Sequence, residues 1–211
     1  MTEKIVIGVD VGGTFTDILA FEEKTGKVSV AKTPSTKEDQ SEGFLEGILK
    51  TTQDLSLVST IIHGTTVATN ALLERKGAKT GIITTKGFRD VLEMRRRDRP
   101  KTWGLWGTFA PVVERKNRLE VSERTLADGT IRVSVDEKEV ENCAKILMEN
   151  GCSAVCLFFI NGYANSENEK RAAKVLRSIW PNNHVSIATE ILPEIREFER
   201  CSTAALNAYL Q

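Results

Sequence analysis

The sequence predicts an α/β protein with a mixed sheet and helices on its faces. Two observations predict this class. The first 33 residues contain three short apolar or alternating runs separated by turn residues, which indicate an antiparallel meander. From residue 136 onward, helical patterns alternate with short apolar runs in the order αβαβα. With 211 residues, 40% of them hydrophobic, the chain can form one large or two small domains.

The three strands of the meander are predicted over Ile5–Val11, residues 16–21 and residues 28–32. The turn residues of EKTGK separate the last two runs. A helix follows, in which apolar residues recur at helical spacing. These residues are Phe44, Leu45, Ile48 and Leu49.

The middle of the chain alternates strand and helix patterns. TIIHGTT and KTGIITT are predicted strands, and VATNALLERKG and GFRDVLEMRRR are helix-like. A long ordered loop is predicted over residues 95–117, and alternating runs around ADGT indicate a hairpin.

The αβαβα portion opens its first two helices with residues at capping-box spacing, Asp136 with Glu139 and Ser166 with Glu169. AVCLFFI and HVSIAT are the predicted strands. The final helix runs through STAALNAYLQ without a glycine or proline stop signal. We therefore expect the chain to be the front part of a longer protein.

The charge balance argues against a general electrostatic partner. Lys and Arg total 29, as do Asp and Glu, so no net field attracts nucleic acid or an anionic membrane. No apolar run resembles a signal peptide or reaches the length of a membrane span. We expect a cytoplasmic protein that binds any anion locally.

The four cysteines lack the paired CxxC spacing of zinc sites. We expect reduced, packed thiols. The alternative is an iron–sulfur ligand pair, Cys152 and Cys156, but GCSAVCLFFI has the pattern of a buried strand.

The segment GVDVGGTFTD joins two predicted strands through a tight bend. Gly12 and Gly13 lack side chains, so we expect the bend to adopt unusual dihedrals and a phosphate to reach its backbone amides. Thr14 and Thr16 add hydroxyl donors. The segment is not a Walker loop, since it lacks GKS or GKT, and it does not fit GxGxxG.

Asp10 ends the first strand directly before this bend. Its carboxylate is placed to hold the water shell of a Mg²⁺ ion that neutralises bound phosphate, and Asp17 would help to orient the bend. The alternative is a hairpin whose glycines serve geometry alone and which Asp10 caps. The combination of an apolar strand, Asp, two glycines and flanking threonines favours the phosphate site.

Several separated motifs carry a family resemblance. GVDVGGTFTD resembles the first phosphate motif of the actin, Hsp70 and sugar-kinase ATPase superfamily. Together with HGTTVATNALLERKGAKTGIITTKGFRD, RRDRP, LEVSER and LPEIREFERCSTAALNAYL, it resembles the amino-terminal region of the hydantoinase A and 5-oxoprolinase family, N-methylhydantoinase A included. The resemblance spans essentially the whole chain.

The resemblance implies an RNase H-like mixed sheet with an inserted α/β subdomain. Residues 1–33 and 136–211 would form the RNase H-like domain, and residues 34–135 the insertion; two successive domains are the alternative. Superfamily members bind ATP between two such domains, each with one phosphate hairpin. Only one hairpin motif occurs here. The chain would thus supply half a site, and bind MgATP no better than roughly millimolar.

The family also implies an activity. The leading hypothesis is the amino-terminal part of an ATP-dependent cyclic amidohydrolase that phosphorylates a carbonyl oxygen, with ATP and Mg²⁺ as cofactors. A subunit of an ATP-dependent ketone carboxylase is the close alternative, and a non-enzymatic nucleotide-gated ATPase module is the third. The implied partners are a small cyclic amide or ketone, the rest of the polypeptide and a hydantoinase B type subunit.

HGTTVATN supplies further candidates at a strand-to-helix junction. His63 is a candidate catalytic group, and Thr65, Thr66 and Asn70 are candidate substrate contacts. Without the resemblance, helix capping by a threonine and a satisfied histidine explain the same residues. A metal site at His63 is not expected, since His184 is the only other histidine.

A cluster of basic residues, Arg95, Arg96, Arg97, Arg99 and Lys101, precedes the apolar TWGLWG segment. A solvated loop is the simpler explanation for each arginine. Because Trp103 and Trp106 could form an apolar wall there, Arg99 is our candidate for a substrate or carboxylate contact. In the last helix, Glu194, Arg196, Glu197, Glu199 and Arg200 are expected to pair along one face.

Overall fold

The computed structural model describes residues 4–36, 39–96 and 109–211. The chain forms two compact units, Met1–Lys76 and Gly77–Gln211. The predicted α/β class is confirmed, since both units combine a sheet with helices. None of the helices in the described ranges is long and apolar enough to cross a membrane.

The first unit contains the predicted meander. Its elements are β1 (Ile5–Val11), β2 (Phe15–Glu22), β3 (Val28–Pro34), α1 (Gln40–Thr51), β4 (Val58–Thr65) and α2 (Val67–Leu73). β2 pairs antiparallel with both β1 and β3, whereas β4 pairs parallel with β1. The strand order is therefore β3-β2-β1-β4, and β1 lies in the interior of a mixed sheet.

One face of this sheet is covered by α1. Ile7, Val9, Ile18 and Ile48 form part of its core. The helix approaches so closely that a Cβ on Gly47 would lie 2.1 Å from Cδ1 of Ile18. Leu45 and Leu49, two of the four apolar residues at helical spacing, are 48% and 43% exposed, because the small residues Gly43 and Gly47 occupy the contact face.

The second unit is built on parallel strands. Its strands are β5 (Thr80–Thr85), β6 (Arg118–Val121), β7 (Arg124–Thr125), β8 (Ile131–Val133), β9 (Ala154–Phe158) and β10 (Val185–Ile187). The parallel sheet has the order β10-β9-β5-β6, and β7 with β8 forms the predicted hairpin around ADGT. β5 and β9 are buried along their full lengths, as the central strands of a parallel sheet require.

Helices cover both faces of the second sheet. They are α3 (Val91–Met94), α4 (Glu137–Glu149), α5 (Glu167–Ile179), α6 (Ala188–Ile191) and α7 (Glu197–Tyr209). Short 3₁₀ turns occur at Leu55–Leu57 in the first unit and Arg115–Asn117 in the second. Two separate apolar clusters, one around Val155 and Leu157 and one around Ala154 and Cys156, reflect the alternating faces of β9.

The capping predictions had mixed outcomes. Asp136 caps α4, accepting from the backbone N–H of Lys138. Ser166 makes no side-chain cap on α5, and Glu169 lies in the interior instead. The grouping of residues 1–33 with 136–211, with 34–135 as an insertion, stays a prediction; α1 and β4 from the latter range belong to the first unit.

Candidate functional site

The candidate site lies where the parallel strands β1 and β4 end. The bend of Gly12, Gly13 and Thr14 follows β1, and Thr65 and Thr66 end β4 beside it. The backbone N–H of Thr66 donates to the carbonyl of Val11 at 3.2 Å. Carboxyl ends of neighbouring parallel strands are a common place for ligand sites in α/β proteins.

Position 12 has no room for a side chain, so it requires glycine. Its N–H donates to the carbonyl of Phe15 at 3.0 Å, and a Cβ on Gly12 would lie only 2.9 Å from that carbonyl oxygen. The predicted unusual dihedrals are wrong in one respect: neither Gly12 nor Gly13 has a positive φ. Close approach of the backbone, not left-handed conformation, is what a side chain would prevent.

The tip of the bend presents free backbone donors. Gly13 and Thr14 are both exposed. Among the described residues, no group accepts a hydrogen bond from the N–H of either one. Two successive N–H groups without a partner form a surface suited to an anion.

Ser35, which sequence reasoning missed, fixes the bend from the end of β3. Its Oγ donates to the carbonyl of Gly12 at 2.8 Å, and its N–H donates to the carbonyl of Thr14 at 3.0 Å. The hydroxyl of Thr16, predicted to face a phosphate, is 1% exposed and lies 3.0 Å from Ser35 Oγ. Thr16 thus supports the bend from inside.

Charged side chains form a row across the open face of the sheet. Asp10 on β1 is opposite Asp17 on β2, which is opposite Lys32 on β3. The Nζ of Lys32 lies 3.0 Å from Oδ1 of Asp17. Like charges on facing positions repel each other, and Lys32 offsets this repulsion by pairing with Asp17. The carboxylate of Asp10 is thus left for a cation.

On its other side, Asp10 is opposite Gly64 of β4. A Cβ on Gly64 would lie 4.0 Å from Oδ1 of Asp10, in van der Waals contact with this carboxylate. A hollow of about 520 Å³ extends from here over the open face, past Leu19, Val30 and Ile62. Asp10 and Asp17 are the charged residues that line it.

The junction of β4 and α2 comes together with the bend. Thr65 Oγ1 donates to the carbonyl of Val11 at 3.2 Å, and the N–H of Val67 donates to Thr65 Oγ1 at 3.3 Å. Asn70 Nδ2 lies 3.1 Å from the position of a Cβ on Gly13. The structure therefore brings Thr65, Thr66 and Asn70 to the bend.

His63 lies on the other face of the sheet from Asp10. It is opposite Val9 of β1, and its ring packs edge-on against Phe44 of α1 at a centroid distance of 5.4 Å. Since successive residues of a strand face opposite sides, His63 and Asp10 are not brought together.

The basic cluster is only partly within the described residues. Arg99, Arg97, Lys101, Trp103 and Trp106 lie outside them. The guanidinium of Arg95 stands 4.8 Å from the ring centroid of Phe109, and Arg96 pairs with Glu199. Both arginines therefore make contacts within the second unit.

A buried polar cluster in the second unit was also missed. Arg200 and Glu169 are both 0% exposed, and Arg200 Nη2 lies 3.1 Å from Glu169 Oε1. Glu197 accepts from Arg200 Nη1 at 2.8 Å. Glu169 also accepts from the backbone N–H of Phe159 at 2.8 Å. Burial raises the pKa of Glu169, while hydrogen bonds from Thr189 and from the backbone of Phe159, together with the charge of Arg200, favour its charged form.

All four cysteines are buried with free thiols: Cys143, Cys152, Cys156 and Cys201. Desolvation raises the pKa of Cys143 to about 11 and that of Cys201 to about 12. No three His, Cys, Asp or Glu residues within the described ranges are grouped as metal ligands would be.

We expect these thiols to be unreactive in the folded chain, because burial keeps them protonated and inaccessible. Titration with a chromogenic disulfide reagent at pH 8 should release almost no product until urea is added, and then four equivalents. Rapid release of one or more equivalents without urea would contradict the packing of the second unit.

Comparisons with known proteins identify the family. The model of the hydantoinase/oxoprolinase N-terminal region matches residues 6–180. Caprolactamase subunit alpha of Pseudomonas jessenii is 32% identical over 97% of this chain and 31% of its own length. The gamma subunit of acetophenone carboxylase from Aromatoleum aromaticum is 30% identical, with the same two coverages.

Solved structures agree with this. The ATP-dependent caprolactamase from Pseudomonas jessenii has a TM-score of 0.82 at 32% identity, covering 97% of this chain and 31% of that chain. A nucleotide-free acetone carboxylase has a TM-score of 0.89 at 24% identity, covering 98% and 32%, and shows likeness of fold. The chain spans about a third of the length of these relatives. It belongs to the hydantoinase/oxoprolinase family and has the fold of the family's N-terminal region.

Proposed function

We propose that the chain is the amino-terminal part of an ATP-dependent enzyme that activates the carbonyl of a cyclic amide by phosphorylation. The bend of Gly12, Gly13 and Thr14 binds the nucleotide phosphates, and Asp10 holds Mg²⁺ through its water shell. The observation that carries the proposal is the pair of free N–H groups at Gly13 and Thr14, which follow the exposed Asp10 by three and four residues.

The residues present fit MgATP. Anionic phosphate matches the backbone donors, and a hydrated Mg²⁺ ion matches the carboxylate oxygens of Asp10. A Cβ at Gly12 would close the bend against Phe15, so the missing side chain preserves its shape. Bound MgATP supplies the phosphoryl group that makes a carbonyl carbon more reactive.

The chain's own residues would bind and orient the phosphates. Ser35 holds the bend through the carbonyls of Gly12 and Thr14, so its N–H groups are preorganised for phosphate. Lys32 neutralises Asp17, which limits repulsion of the incoming phosphates. Thr65, Thr66 and Arg99 remain proposed substrate contacts. We give His63 no step, because it faces α1.

Two named relatives are subunits, an alpha subunit of caprolactamase and a gamma subunit of acetophenone carboxylase. This supports a second subunit, of the hydantoinase B type, as a partner. It also supports a second candidate function, a subunit of an ATP-dependent ketone carboxylase.

Phosphate release by a complete enzyme that contains this chain distinguishes these functions. Stimulation by lactams, hydantoins or 5-oxoproline supports the amidohydrolase. Stimulation by ketones with bicarbonate would overturn the amidohydrolase and support the ketone carboxylase. Turnover indifferent to both classes overturns the enzyme proposal in favour of a nucleotide-gated module.

A further inference from the structure

Asn70 meets the bend at its tip. The residue belongs to α2 and is half-buried, and its Nδ2 lies 3.1 Å from the position that a Cβ on Gly13 would take. Since Gly13 has no left-handed φ, its conformation alone does not require glycine. What a side chain at this position would disturb is the approach of the Asn70 carboxamide.

The carboxamide has donor capacity to spare. An asparagine amide carries two N–H bonds. Its Nδ2 donates to Thr66 Oγ1 at 3.4 Å, which is long for an N–H···O bond. One short polar side chain is thus held beside two free backbone N–H groups, those of Gly13 and Thr14.

We infer that Asn70 binds the phosphate group held at the bend, not the organic substrate. This inference rests on the proposed function. The Asn70 carboxamide and the N–H groups of Gly13 and Thr14 form one set of neutral donors around an anion, and Gly13 is small so that the carboxamide fits.

A purely local role for Asn70 is the competing explanation. In that role its side chain would support α2 through Thr66, and its removal would lower stability without changing anion affinity. Anion affinity and thermal stability must therefore be measured on the same variants.

The test uses the 211-residue chain and magnesium pyrophosphate, which presents phosphates without an adenosine. Affinity is followed by the amide NMR shifts of Gly13 and Thr14. Loss of one hydrogen bond to a charged group should weaken binding by about tenfold in Asn70→Ala. Asn70→Asp keeps the shape but repels the anion, so binding should be undetectable. Thr69→Ala, the neighbouring exposed position of α2, is the matched control and should bind as wild type.

A double variant tests the coupling to Gly13. Gly13→Ala should weaken binding by several-fold in the wild-type background, because the new Cβ displaces the carboxamide. In the Asn70→Ala background the same change should have little effect. Additive losses would overturn the coupling between the two residues.

The outcomes separate the two proposals. Wild-type affinity in Asn70→Ala, or equal weakening in Thr69→Ala, would overturn the role of Asn70 and leave the phosphate bend in place. If the wild-type chain shows no shift of Gly13 and Thr14 with magnesium pyrophosphate, the proposed function itself fails. Weakening in the Asn70 variants and in Gly13→Ala but not in Thr69→Ala, at unchanged melting temperature, supports the inference.

Discussion

Asp10→Asn should lower ATP hydrolysis by about 100-fold or more in a complete enzyme that contains this chain, because we propose that the charge of Asp10 holds hydrated Mg²⁺ against the phosphates. Folding should be little affected, since Asp10 is exposed and faces the open side of its sheet. Removing it also relieves repulsion with Asp17. Phosphate release and the melting temperature are to be measured together.

Glu23→Gln is the matched control for this prediction. It removes the same charge from an exposed residue just beyond the far end of β2, and it should leave hydrolysis unchanged. If Asp10→Asn instead lost much stability while each folded molecule turned over normally, Asp10 would be a structural cap of the hairpin.

Arg200→Met should lower the free energy of unfolding of the second unit by about 3 to 5 kcal/mol, because it leaves a buried carboxylate without its counter-ion. Glu169 is 0% exposed and would lose its ion pair with Arg200, and Glu197 would lose a hydrogen bond. Urea denaturation followed by far-ultraviolet circular dichroism measures the loss.

Two further variants control this experiment. Arg177→Met removes an arginine whose pair with Glu190 is about half exposed, and it should cost several-fold less. Glu169→Gln combined with Arg200→Met should recover part of the loss, since the fully buried residue 169 then carries no charge. An Arg200→Met protein as stable as the Arg177→Met protein would contradict the buried pair.

The elements were predictable because their signals are local. β1, β2 and β3 follow from short runs with turn residues between them, and the bend follows from its glycines and Asp10. The face of the sheet on which a residue lies was harder to predict. His63 was placed at the site from its neighbours in sequence, but strand register decides the face, and a shift of one residue reverses it. The alternation of Thr16 with Ile18 and Ala20 could have shown that Thr16 faces the core.

Long-range contacts gave no local signal. Ser35 reaches Gly12 across 23 positions, and Arg200 reaches Glu169 across 31. In the sequence, the Glu and Arg residues of the tail predict pairs along one helix face, and Glu197 with Arg200 forms such a pair. Glu199 instead pairs with Arg96, and Glu194 and Arg196 precede α7. That Arg200 also neutralises a buried residue of α5 depends on how α5 and α7 pack on the sheet.

The central claim is that the bend at Gly12 to Thr14 holds the metal-bound phosphates of ATP. It is tested most directly by replacing Mg²⁺ with paramagnetic Mn²⁺, which takes similar oxygen ligands, and recording amide NMR intensities of the 211-residue chain with millimolar ATP. We predict that Gly13 and Thr14 lose intensity first, and that Gly26 keeps it. Gly26 lies beyond the far end of β2, eight residues long at about 3.4 Å per residue. Equal loss at Gly26, or the same losses with Mn²⁺ alone, would contradict the claim.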